Sequence, residues 1–286
     1  MSERMISMEY KTLANGVKMP MAGFGVFQIP QEQTKQVVLD AINAGYRLFD
    51  TAAAYGNERE LGEAIKESGL PRDEFFITSK LWVSATGYDA TKNAIDESLT
   101  KLGMDYMDLY LIHQPFGDVF GSWRAMVEAQ KAGKIRAIGT ANFQPDHLEN
   151  LLQFQDVKPA INQVETNPFI QQHAFHKQMT SEGVAHQAWA PFAEGRQGIF
   201  ANPILTKIGA NHGKNIGQVI LRWLLQRDIV PLCKSVHHDR IVGNIDIFDF
   251  ELSTDEMKQI QTLDQQKSAF FDHHDPETVK MIAHLI

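Results

Sequence analysis

Asp50, Tyr55, Lys80 and His113 supply a carboxylate, a phenol, an ammonium and an imidazole, and each falls at or just past the end of an apolar segment that reads as a β-strand. The three segments are Tyr46 to Asp50, Phe75 to Lys80 and Met107 to His113. A phenol with a pKa of about 10 exchanges protons poorly near neutrality unless its anion is stabilised. An ammonium at Lys80 lowers that pKa, Asp50 keeps the ammonium charged and oriented, and Tyr55 then serves as a general acid. His113 donates a hydrogen bond to a carbonyl oxygen. Together the four polarise a carbonyl and protonate its oxygen as charge develops there, which is what reduction by hydride transfer requires. Taken singly, an Asp, Lys or His at a strand end is more often a salt-bridged or capping residue. Lys80 alone also suits the Schiff-base chemistry of a barrel aldolase.

Groups on separate strands form one site only if the strand ends share a rim. Strand and helix patterns alternate along the chain: helix Gln33 to Ala44, strand Arg47 to Asp50, helix Glu58 to Glu67, strand Phe75 to Lys80, helix Ala90 to Leu102, strand Met107 to His113 and helix Ser122 to Ala132. Strand Ile135 to Thr140, helix Pro145 to Leu152, strand Ile161 to Glu165, helix Gln172 to Glu182 and strand Ala185 to Ala190 follow. Helix Gly217 to Gln226, strand Ile229 to Leu232 and helix Asp239 to Asn244 complete the series. Eight helices interleaved with strands that read as buried on both faces predict a parallel sheet closed into a (β/α)8 TIM barrel. An N-terminal β-hairpin is expected over Lys18 to Gln28, after Asn15-Gly16, and an extra C-terminal helix over Ser253 to Leu263 with a tail beyond it. An open doubly wound sheet is disfavoured, because Gly23-Phe24-Gly25 lacks the third glycine of a G-x-G-x-x-G turn.

With 286 residues, 43% of them hydrophobic, the chain reads as one barrel domain spanning 1–286. A formal charge of −8 opposes a nucleic-acid partner. The one cysteine, Cys233, excludes an intrachain disulfide and suits the cytoplasm, and no apolar run of about 18 residues predicts a membrane segment. A monomer or weak homo-oligomer is expected.

F-D-T-A-x-x-Y-G-N-E over Phe49 to Glu58, T-S-K-L-W ending at Trp82 and L-Y-L-I-H ending at His113 resemble the aldo-keto reductase superfamily, over nearly the whole chain. Within it the chain is most similar to the bacterial prostaglandin F synthase, 2,5-diketogluconate reductase and glyoxal reductase group. The resemblance implies a Tyr55 general acid tuned by Lys80 and Asp50, with His113 orienting the carbonyl. It also implies NADPH as hydride donor, with Asn142 and Gln163 on the nicotinamide carboxamide, Trp189 stacked on the ring, and Val26 and Asp50 in the same pocket. Ala141 stands where the family carries a serine.

Lys234-Ser235-Val236 and Arg240 open a helix after the eighth strand; two cations, a hydroxyl and free helix N–H groups grip a phosphate. A sugar-phosphate site after the last barrel strands is the plainer reading. The resemblance assigns the set to the 2′-phosphate of NADP, and Asn244 to the adenine, with Gly243 in place of an acidic residue. Pro191 to Gly195 reads as an exposed loop, and by resemblance as a strap over the pyrophosphate. Phe27, Trp82, Phe116 and the tail aromatics Phe270 and Phe271 suggest an apolar cleft above a polar base. Gln114, where many animal relatives carry tryptophan, favours small hydroxylated or dicarbonyl substrates. The adjacent pairs His237-His238 and His273-His274 lack the spacing of local metal ligands, so no metal is expected. A nucleotide-sensing binding subunit on the same fold is the competing reading.

Overall fold

The computed structural model describes residues 8–285. Its strands are β1 (Tyr10–Thr12), β2 (Lys18–Pro20), β3 (Gly23–Gly25), β4 (Leu48–Asp50), β5 (Phe76–Leu81), β6 (Met107–Ile112), β7 (Ile135–Ala141), β8 (Ile161–Glu165), β9 (Ala185–Trp189) and β10 (Val230–Cys233). Its helices are α1 (Gln31–Asn43), α2 (Glu58–Glu67), α3 (Tyr88–Leu102), α4 (Val119–Lys131), α5 (Pro145–Phe154), α6 (His173–Ser181), α7 (Pro203–His212), α8 (Ile216–Gln226), α9 (His238–Ile245), α10 (Thr254–Gln261) and α11 (Pro276–His284). β3 to β10 form a closed parallel barrel in chain order, with β10 pairing back onto β3. The strand residues of β4, β5, β6 and β8 are all buried, as expected of a sheet covered by helices outside and packed within. Because every strand runs the same way, Asp50, Leu81, Ile112, Ala141, Glu165, Trp189 and Cys233 end on one rim.

The N-terminal hairpin lies earlier than expected. It pairs β1 with β2 around a turn closed by the Leu13 N–H donating to Val17 O, whereas Gly23–Gly25, expected within the hairpin, is the first barrel strand. Three residues show no periodicity, so only the neighbours reveal that strand. A Cβ on Gly23 would stand 2.5 Å from side-chain atoms of both Leu48 and Leu232, on the two flanking strands. The hairpin crosses the bottom of the barrel: Asn15 donates to Arg136 O at the start of β7, and Lys11 pairs with Asp228 just before β10.

α10 has the expected capping box, with the Ser253 side chain accepting from Glu256 N–H and the Glu256 carboxylate from Ser253 N–H. α7 and α11 stand outside the strand-and-helix rhythm, which therefore gave them no place. Both are locally encoded, with Asn202 and Asp275 as caps and proline at the next position. Among the described residues no helix is long and apolar enough to cross a membrane.

Candidate active site

Asp50 closes β4, Lys80 lies near the end of β5, and His113 follows β6 by one residue. Tyr55 is carried by a short 3-10 turn, Ala53–Tyr55, that Gly56 ends at φ +68°. Two buried polar residues hold this turn: Thr51 Oγ1 donates to Asn57 Oδ1 at 2.8 Å, and Asn57 Nδ2 donates to Val26 O at 3.0 Å. The Lys80 ammonium is wholly buried and donates to the Asp50 carboxylate, to Thr51 O at 3.0 Å and to the Tyr55 hydroxyl at 3.4 Å. The Tyr55 and His113 rings meet edge to face at 5.6 Å between centroids. All four expected groups therefore stand within one interlocked cluster.

The electrostatics differ from expectation at one point. Burial raises the Tyr55 pKa, Lys80 lowers it and Asp50 raises it again, leaving it above the ordinary phenol value. Lys80 thus offsets burial without overcoming it, and the phenol is held protonated. Burial opposes the Lys80 charge, yet Asp50 and Tyr55 together raise its pKa, so it stays an ammonium. Burial and then the Lys80 charge push His113 well below the usual imidazole value. Its Nδ1 is buried without a partner. A neutral imidazole retains one N–H to donate. A protonated phenol, a fixed cation behind it and a neutral imidazole beside it suit proton donation to an oxygen that gains negative charge.

Gln163 on β8 ties the tetrad to the next part of the rim. Its Nε2 donates to Asp50 Oδ2 and to Gln187 Oε1, both at 2.9 Å, leaving its own oxygen available. Asn142, at φ +63° just past β7, donates to His113 O and accepts from Trp189 Nε1, each at 2.9 Å. Trp189 is partly exposed at the end of β9. Ala141 leaves no hydroxyl beside Asn142, and Thr140 does not replace it, because its own hydroxyl donates to Asn162 Oδ1 at 3.0 Å. These residues fit the amide end of a nicotinamide, with one fewer donor than the family pattern.

At the β10 end, Ser235 is buried and accepts from His237 N–H at 3.0 Å at the start of α9. Among the described residues the Lys234 and Arg240 side chains enter no ion pair or hydrogen bond, and both residues are exposed, as is Val236. Asn244 is buried within α9. Free cations beside helix N–H groups are the donor set an anionic phosphate needs.

Three of the expected substrate-side residues, Trp82, Gln114 and Phe116, contact the tail. Phe27 is exposed and packs on Tyr55 at 4.8 Å. Trp82 packs edge-on to His113 at 5.0 Å, while its indole N–H donates to Leu285 O. Gln114 is buried, and its Oε1 accepts from His273 Nε2 at 3.1 Å. Phe116 stacks on that histidine at 6.3 Å. Phe270 packs on Trp189 at 5.1 Å and lies under the Arg196 guanidinium, which also donates to Ala269 O. Arg196 belongs to the loop after β9, where Ala193, Glu194 and Gln197 adopt left-handed backbone.

Sequence reasoning missed His273, Glu165 and Gln187. Glu165, the last residue of β8, accepts from Ser268 Oγ at 2.5 Å and Ala269 N–H at 3.2 Å, anchoring the tail. Burial raises its pKa against those hydrogen bonds. A carboxylate closing a strand was the available signal, as it was at Asp50.

The Aldo/keto reductase family matches residues 21–265 of this chain. Glyoxal reductase of Bacillus subtilis is 46% identical over 257 residues, covering 89% of this chain and 92% of that protein. Morphine 6-dehydrogenase of Pseudomonas putida is 43% identical over 266 residues, covering 88% and 90%. Among solved structures, an aldo-keto reductase from a Medee basin deep-sea metagenome library superimposes with a TM-score of 0.91 at 38% identity, covering 93% of this chain and 98% of that one. The Bombyx mori aldo-keto reductase in complex with NADP gives 0.88 at 32% identity, covering 96% and 97%. The chain belongs to the aldo/keto reductase family, and it is an oxidoreductase.

Proposed function

We propose that the chain, as one barrel domain, uses NADPH to reduce aldehydes and reactive ketones, among them small dicarbonyls, keto-sugars and aromatic aldehydes, to alcohols. The observation that carries this reading is the buried Lys80 ammonium, joined to Asp50 on one side and Tyr55 on the other. When bound, NADPH supplies the hydride for the carbonyl carbon. Tyr55 delivers the proton to oxygen, and the buried Lys80 ammonium stabilises the phenolate left behind. Asp50 keeps Lys80 charged and, by accepting from Gln163 on β8 across the barrel, positions that amide. His113, neutral, donates to the same oxygen.

Gln163, Asn142 and Trp189 would hold the nicotinamide beside Val26, and Lys234, Ser235, Val236, Arg240 and Asn244 the adenosine phosphate end. Phe27, Trp82, His113 and Gln114 would face the carbonyl substrate. The resemblance to glyoxal reductase favours small dicarbonyls. Cytoplasmic residence and a monomeric or weakly associating chain complete the reading.

The test is NADPH consumption with methylglyoxal, phenylglyoxal and nitrobenzaldehyde. Turnover by the wild-type chain that Tyr55→Phe abolishes is the expected result. Normal turnover by that variant would overturn the role of Tyr55, and tight NADPH binding without turnover across the panel would favour a nucleotide-sensing subunit instead.

A further inference from the structure

A second group of ligating side chains lies apart from the tetrad, where the tail crosses the start of α5. Asp146 and His147 sit in the first turn of α5, and His274 comes from the tail just before α11. Their sequence separation hid them: the pair His273-His274 has no local ligand spacing, and only the tertiary fold brings His274 to positions 146 and 147. His274 Nε2 lies 3.7 Å from one Asp146 carboxylate oxygen, and His147 Nε2 lies 4.0 Å from the other. One ligand atom from each residue falls within 4.8 Å of the others. The two imidazoles stack at 5.4 Å with 28° between planes. Asp146 and His274 face solvent, so an ion has access, while His147 is backed by Phe116 and Phe143.

We propose that Asp146, His147 and His274 bind a divalent transition-metal ion of the zinc type, which clamps the C-terminal tail to α5 beside the substrate rim. Two imidazoles and a carboxylate suit Zn²⁺ or Ni²⁺ and leave one coordination position for water; calcium and magnesium prefer all-oxygen sites. Tetrahedral ligands at about 2.0–2.1 Å from zinc stand about 3.4 Å apart, so the set must close by roughly 1 Å. Rotation of the exposed Asp146 and His274 side chains supplies that movement. One contact is given up. His147 Nδ1 accepts from Gln144 N–H at 3.4 Å, which places the ring proton on Nε2. Metal at Nε2 requires the other tautomer, and so replaces one long hydrogen bond with a coordinate bond.

The position gives the site a consequence. His274 adjoins His273, whose Nε2 donates to Gln114 Oε1, and Gln114 follows His113. An ion at the clamp therefore fixes the segment that lines the wall next to the candidate carbonyl site.

The test is calorimetric titration of Zn²⁺ into the full chain, beside His274→Ala, His147→Ala and Asp146→Asn. One equivalent bound by the wild type, with affinity lowered about tenfold or more in each variant, is expected for the loss of one of three protein ligands. A His237→Ala/His238→Ala variant retains the wild-type affinity. Amide hydrogen exchange over 268–276 slows with Zn²⁺ in the wild type and not in His274→Ala. No wild-type binding at about 1 mM Zn²⁺, or equal binding by the three variants, overturns the site. Binding that leaves exchange of the tail unchanged overturns the clamp. Asp146→Asn keeps the side-chain volume, which separates ligand loss from misfolding.

Discussion

Lys80 and Lys234 lie on the same barrel rim, three strand positions apart around the closure, and are held in opposite ways. Lys80 is fully buried and its three hydrogen-bond acceptors are Asp50, Thr51 O and Tyr55. Lys234, like Arg240, is exposed and, among the described residues, unpaired. A buried charge must be matched by the protein itself, since leaving it unpaired costs several kcal/mol. A charge meant for an anionic ligand gains from staying open, because internal pairing would compete with that ligand. The proton-handling half is thus built in advance of any ligand, while the phosphate-gripping half is complete only with one.

The largest effect expected is on the closed half. Tyr55→Phe removes only the hydroxyl and should lower kcat for carbonyl reduction by about 10²–10⁴-fold with folding intact, as measured by steady-state kinetics and circular dichroism. Lys80→Met leaves the Asp50 carboxylate buried and uncompensated, so denaturant unfolding should show a loss of about 3–5 kcal/mol; a neutral result would mean that the cluster is not interlocked. A third test asks whether the tail belongs to the closed half. His273 is pushed down to about 4 by burial and by its histidine neighbours, against Asp272. Its folded pKa is depressed, so the unfolded chain binds the extra proton between the ordinary value of 6.5 and about 4. Stability contributed by the neutral ring is present above pH 6.5 and is lost as pH falls through that window, by about 3 kcal/mol in full. His273→Gln should flatten the acid limb of the stability curve.

Smaller effects are expected at the open half. Lys234→Met and Arg240→Met should each raise KM for NADPH about tenfold or more, leave KM for NADH and kcat nearly unchanged, and weaken the salt dependence of NADPH binding. If the NADH parameters fell equally, the cations would be acting on the fold rather than on a phosphate. Ala141→Ser restores the hydroxyl that Thr140 does not replace, and should lower KM for the cofactor several-fold, for about 1 kcal/mol of net hydrogen bonding.

Much of the barrel was legible because its signals are local. Met107–Ile112 is apolar at every position but Asp108, α10 announces itself by a capping box, and an ionisable residue at the end of an apolar run marks the rim. The parts that were misread have weak local signals or none. Gly23–Gly25 is too short for periodicity and is a strand only because β4 and β10 flank it. α7 and α11 carry good caps but lie outside the repeating rhythm.

The sequence by itself determined the family, the barrel and the chemical types at positions 50, 55, 80 and 113, because these depend on residue identity and on a short repeating period. Tertiary structure alone decided the balance of burial against Lys80 that keeps Tyr55 protonated, the pairing of Gln114 with His273, and the meeting of His274 with Asp146 and His147. Each of these depends on desolvation or on contact between residues far apart in the chain, and neither quantity is written in local spacing.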